Sequence, residues 1–169
     1  MAASPPLLYL DQNYLSGIAK RKPGFRELEP VLREAVANGA VAVPESAAHR
    51  RESEARPDLG LLALLRELSG GHRLPDEQEA AERNVERRLR RFAAEPFPER
   101  IARASDEVDF EALSIALPRC ELVACDAFMA DVIRRAGLDR RFGSEVFGGR
   151  RRDVLALRDR FGAQTPPIA

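Results

Sequence analysis

Two short apolar runs in this chain end on an aspartate. "LLYL" (7–10) stops at Asp11 and "ELVAC" (121–125) stops at Asp126, and each acid leads straight into a segment with helical spacing. A carboxylate so placed can cap the helix that follows, because its oxygen accepts a hydrogen bond from a first-turn N–H. It can equally serve a divalent cation, since Mg²⁺ and Mn²⁺ prefer carboxylate oxygens and water. Further acids strengthen the second reading. After a third apolar run, "AVAV" (40–43), the segment "PESAAHRRESE" carries Glu45, His49 and Glu52 at spacings of four and three, which puts them on one helical face. Asp109 opens "DFEALSIAL", in which Phe110, Leu113 and Leu117 supply a buried side. Four separated segments thus each offer an acid near one edge of a sheet. Carboxylates gathered there repel one another unless a cation or a proton intervenes, so a metal site accounts for their placement.

The elements that must position these groups alternate along the chain. The runs 7–10, 40–43, 121–125 and 144–147 are continuous rather than alternating in polarity, as strands buried on both faces are. Helical spacing fills the intervals at 25–39, where Gly39 is the stop, at 109–117, at 127–138 and at 151–162. The fold class is therefore α/β, a three-layer α/β/α arrangement with a mostly parallel central sheet. Residues 58–104 contain no convincing strand and form a helical insertion within one domain, 1–169. Ligands of such sheets bind beyond the carboxyl ends of the strands, where Asp11 and Asp126 fall. The ends, 1–6 and 163–169, are expected to fray.

Composition narrows the classes of function. The chain has 169 residues, 44% of them hydrophobic, enough for one core. Lys plus Arg and Asp plus Glu are 27 each, so no global field draws it to a polyanion and any attraction must be local. With two cysteines, no recognisable leader and no apolar run of membrane-spanning length, a cytoplasmic protein is expected. Cys120, Cys125 and His72 lack a close Cys/His pair for zinc and read as core thiols and an isolated imidazole. "GSEVFGGRRRD" has no Walker lysine, but its Arg150, Arg151 and Arg152 could form a phosphate-contacting rim. Arg83, Arg87, Arg88, Arg90 and Arg91 read as a solvated helix face.

Three stretches taken together resemble the PIN and PIN-like domains of metal-dependent ribonucleases. "LLYLDQNYLSGIA" is similar to the family's first strand and first acid, "VAVPESAAHRRE" to the second strand and the helix bearing its glutamate, and "DFEALSIALPRCELVACDAFM" to the segment holding its last two aspartates. "LDQN" stands in place of the commoner Asp-Thr-Asn, and Ala124-Cys125 where many members have a hydroxyl residue before the acid. The resemblance implies Asp11, Glu52, Asp109 and Asp126 as ligands of Mg²⁺ or Mn²⁺, with His49 placing a phosphate or a metal-bound water, or else hydrogen-bonding Glu52. Glu45 or Glu54 could replace Glu52, and Asp106 could replace Asp109, although "SDEV" also reads as helix capping. Asn13 is either a cap or an outer support for Asp11, and Glu45 an outer support where it is not a ligand. The implied activity is phosphodiester hydrolysis of single-stranded RNA, with an antitoxin-like or other protein partner and a homo-oligomer left open and no membrane association expected. A catalytically silent scaffold that binds RNA or protein is the rival. A dehalogenase-type phosphotransferase would need an Asp where Asn13 stands, and a receiver domain would need a late lysine, which is absent after Lys22.

Overall fold

The computed structural model describes residues 4–96, 98–101 and 103–163. Three strands, β1 (Leu8–Leu10), β2 (Leu122–Ala124) and β3 (Glu145–Phe147), pair in parallel in the order β1-β2-β3. Tyr9 lies opposite Val123, and Val123 opposite Val146. Around them run α1 (Gln12–Ala19), α2 (Phe25–Ala37), α3 (Ala47–Ala55), α4 (Leu61–Ser69), α5 (Ala80–Ala94), α6 (Ala104–Ala116), α7 (Ala127–Arg135), α8 (Leu138–Phe142) and α9 (Arg151–Gly162). The fold is mixed α/β. No helix among the described residues is long and apolar enough to cross a membrane.

Alternation along the strands divides the core. Leu8, Leu10, Leu122 and Ala124 join one cluster with Tyr14 and Ile18 of α1, Leu28 and Leu32 of α2, Leu65 of α4 and Leu157 of α9. Tyr9, Val123 and Cys125 join another with Leu89 of α5, Leu113 of α6, and Met129 and Ile133 of α7. Apolar side chains on both faces are what make the strands read as unbroken hydrophobic runs.

Several expected bounds move. The run 40–43 keeps only an isolated parallel bridge, Leu7 to Ala42, in which Leu8 N–H donates to the Ala42 carbonyl and Ala42 N–H to that of Pro6. Pro44 then supplies no N–H, and Val43 N–H has turned to Leu68, so the ladder stops. The insertion is not helical throughout: α4 and α5 are joined by a segment that forms a second bridge, Glu45 to Arg73. α6 begins at Ala104, not Asp109, which therefore sits in its second turn. The segment 127–138 divides at Gly137, whose positive φ of 67° ends the path of α7 and starts α8. Of the expected frayed ends, residues 1–3 and 164–169 lie outside the described residues.

Candidate metal and phosphate site

Because β1 and β2 are parallel neighbours, the residues that follow them emerge side by side. Asp11 N–H extends the ladder to the Ala124 carbonyl at 2.9 Å, and Cys125 N–H does so to Phe147 at 3.0 Å. Beyond them both acids are helix caps. Asp11 Oδ1 accepts from Tyr14 N–H at 2.9 Å and starts α1; Asp126 Oδ1 accepts from Met129 N–H at 2.8 Å and starts α7. Asp11 does more than cap. Its Oδ2 accepts the backbone N–H of Asp126 at 2.9 Å, tying the two strand ends together. Asp11 is only 5% exposed. Burial pushes its carboxyl well above the ordinary range against the pull of the Tyr14 N–H, and the charges of Asp109 and Asp126 push it further.

Asp11→Ala should therefore cost about 2 kcal/mol of stability. It leaves one buried and one partly buried N–H without an acceptor, each worth roughly 1–3 kcal/mol, offset in part by relief of carboxylate repulsion. Urea unfolding measures this, and an Ala variant as stable as wild type would deny Asp11 its structural part.

Asp109 and Glu52 arrive from the other face. An ion pair from Arg51 to Glu111 at 3.2 Å fastens α3 to α6. Asp109 is partly buried, and burial first, then the charges of Glu52, Asp126 and Asp106, raise its pKa to about 7. Glu52 is raised by burial, with Arg51 opposing. The ring of Tyr9 is buried, and its hydroxyl is pushed up by burial and then by the charges of Asp11, Glu52 and Asp109.

Other expected members stand apart from the acids. Glu45 lies before Ser46, the N-cap of α3, so helical spacing never applied to it. It is 2% exposed and receives Arg50 at 3.0 Å, Arg66 at 3.4 Å and Arg73 at 3.8 Å. Burial would raise its carboxyl, but the Arg50 hydrogen bond and the other two guanidinium groups hold it below the ordinary range. His49 is fully buried and has no ring nitrogen left for a phosphate, a water or Glu52. Ser46 N–H donates to its Nδ1 at 3.1 Å, which puts the proton on Nε2, and that donates to the Leu10 carbonyl at 2.6 Å. Burial lowers its pKa to about 4, so the ring is neutral and holds α3 to the end of β1. The S-x-x-H spacing of Ser46 and His49, a variant of the capping box, was the available signal. Asn13 is exposed in the first turn of α1 and is not its cap. Asp106 closes a capping interaction with Arg103 N–H at 2.8 Å and pairs with Arg100 at 2.9 Å. Glu54 is exposed on α3.

The loop after β3 completes the rim. Tyr14 Oη donates to the Gly148 carbonyl at 2.5 Å. A Cβ on Gly149 would come within 2.9 Å of Asn13 Nδ2 and 3.5 Å of Asp126 Cα, so glycine allows this loop to press against the starts of α1 and α7. Arg150, Arg151 and Arg152 follow, all exposed. Sequence reasoning passed over Asp153, whose Oδ2 sits 2.6 Å from where a Gly148 Cβ would be, and Arg134, which donates to the Val146 carbonyl at 2.6 Å. With Asp131 these two and Arg150 line a pocket of about 160 Å³. The arginines of α5 lie on its solvated face, with Arg83, Arg87, Arg88 and Arg91 exposed; Arg90 pairs with Glu86 and Glu107, Arg91 with Glu95, and Arg88 donates to the Ala136 carbonyl. Cys120 and Cys125 are free and buried, and burial raises both thiols.

The candidate donors are carboxylates, the type that Mg²⁺ and Mn²⁺ prefer, and their mutual repulsion is what a cation would relieve. Gln12, between Asp11 and Asn13 in the chain, keeps a buried Oε1 with no hydrogen-bond partner. Among the described residues, however, no group of three or more His, Cys, Asp or Glu is close enough to hold an ion. No family model, curated protein or solved structure matches the chain.

Proposed function

We propose that the protein is a PIN-like phosphodiesterase that cleaves single-stranded RNA with Mg²⁺ or Mn²⁺ held by Asp11, Glu52, Asp109 and Asp126. The observation that carries this reading is the pair of aspartates on adjacent parallel strands, joined by the Asp126 N–H to Asp11 Oδ2 bond, with Asp109 near enough for its titration to respond to Glu52 and Asp126. The sheet with apolar clusters on both faces is compatible with the three-layer arrangement of that family. A bound ion supplies an activated water and neutralises charge on the phosphate. The protein's own part is positional. Asp11 sets the separation of the strand ends, Asp126 offers its second carboxylate oxygen while the first caps α7, and Asp109 and Glu52 add negative charge from the opposite side. His49, being neutral and fully bonded, keeps α3 in register with β1 and takes no proton.

The scaffold reading has its own support, since both strand-end aspartates already serve as caps and the acids do not converge. Chelator-treated protein separates the two. Adding Mn²⁺ to 100 times its dissociation constant should stabilise the fold by about 2.7 kcal/mol by mass action and restore cleavage of a labelled single-stranded RNA. The absence of both a melting-temperature shift and cleavage at millimolar Mn²⁺ would favour the scaffold over the nuclease.

A further inference from the structure

Two basic triplets far apart in sequence share one surface. Lys20, Arg21 and Lys22 form the turn between α1 and α2 and include the chain's only two lysines; Arg150, Arg151 and Arg152 open α9. Gly24, at the start of α2, brings them together: a Cβ there would lie 3.5 Å from Arg151 Cγ and 3.6 Å from Val154 Cγ1. All six residues are exposed. Arg152 pairs with Asp153, while Lys20, Arg21, Lys22, Arg150 and Arg151 have no ion pair among the described residues. Elsewhere many arginines are paired with acids, as at Arg33, Arg50, Arg90 and Arg119, while other exposed arginines without an ion pair, such as Arg87, Arg140 and Arg141, do not adjoin a second basic triplet. In a chain whose formal charges cancel, the two triplets are a local excess of cation.

The excess also has a direction. One end begins at Arg150, next in the chain to Gly149, whose backbone rests against Asn13 and Asp126. The other, at Lys20 to Lys22, is reached along α1, whose eight residues rise roughly 12 Å. We propose that the two triplets form one phosphate-binding track along which a single-stranded nucleic acid runs from the acids toward the α1–α2 turn. This rests on the nuclease reading for its direction, though not for the binding itself.

The surface suits a nucleic-acid backbone better than an acidic protein. Its exposed residues are Lys, Arg and Pro23, with neither the aromatic side chains nor the apolar centre that protein interfaces enrich. For the same reason bases have nothing here to stack on, so binding should be indifferent to sequence.

Anisotropy of a labelled 12-nucleotide RNA, measured in EDTA across a salt series, tests the track without turnover. The triple variants K20Q/R21Q/K22Q and R150Q/R151Q/R152Q should each weaken binding tenfold or more at low salt. Each should also lower the slope of log affinity against log salt by about 2, since a single-strand phosphate contact contributes about 0.7. Wild-type protein provides a check free of mutation, because bound RNA should protect Lys20 and Lys22 from acetylation. An unchanged slope in K20Q/R21Q/K22Q, unprotected lysines, or poly-glutamate competing as well as RNA would overturn the proposal. Loss of metal-dependent cleavage with these binding results intact would remove the nuclease reading and leave the track. Normal cleavage with an unchanged slope would do the opposite.

Discussion

Asp109→Asn should make the metal-free protein more stable at pH 8 while cleavage is lost. Burial and the charges of Glu52, Asp126 and Asp106 raise Asp109 from its ordinary value near 3.8 to about 7, so the folded state holds this proton more tightly than the unfolded chain does. The cost of ionising it in the fold is absent below about pH 4, grows through about pH 7 and is constant above. A displacement of that size corresponds to roughly 4 kcal/mol, and with water still reaching the group we expect about 2. His49 works the other way. Its pKa falls from 6.5 to about 4, so its contribution to stability rises with pH across that interval. Comparing Asp109→Asn with wild type at each pH cancels His49, and the difference in unfolding free energy should grow from near zero at pH 4 to its plateau above pH 7. Saturating Mn²⁺ should reverse the order by stabilising only wild type. A flat difference, or a destabilised variant at pH 8, would mean that Asp109 is a structural residue. A residue whose removal stabilises the fold and abolishes activity marks a site where function is held against stability.

How much of this was legible in the chain depended on whether the determining contacts were local. An apolar run closed by Asp11 or Asp126 announces a buried strand and a helix start together, and both caps form. The strand at 40–43 carried the same apolar signal but was shortened by Pro44 and by the competing Leu68 carbonyl, a partner from a distant helix. The start of α6 is signalled by the capping spacing of "SDEV" and not by its N-cap: Arg103 makes no side-chain cap, and Asp106 closes the turn. Face arithmetic placed Glu45 beside Glu52, but the helix begins after it, and three guanidinium groups from elsewhere in the chain take it up. The spacing of His49 from Ser46 describes a helix cap, and the ring serves there and not at the acids. The contact of Gly24 with Arg151 joins segments more than 120 residues apart and left no local trace.

Asp126→Asn should reduce metal-dependent cleavage by roughly a hundredfold or more while leaving the melting temperature without metal almost unchanged. Asn keeps the oxygen that accepts from Met129 N–H and caps a helix about as well as Asp. The backbone N–H that Asp126 donates to Asp11 is untouched. What disappears is one negative charge at the strand edge, which under the proposed function would help hold the ion and, through it, lower the pKa of an attacking water. Asp126→Ala removes the cap as well and should cost about 1 kcal/mol in addition to activity. The two variants therefore separate the roles: equal loss of cleavage with unequal loss of stability assigns the charge to catalysis and the oxygen to capping. If Asn cleaves as fast as wild type and only Ala is impaired, Asp126 is a cap alone. The pair of strand-end aspartates would then tie β1 to β2 and support the RNA-binding scaffold, with any hydrolysis arising elsewhere in the chain.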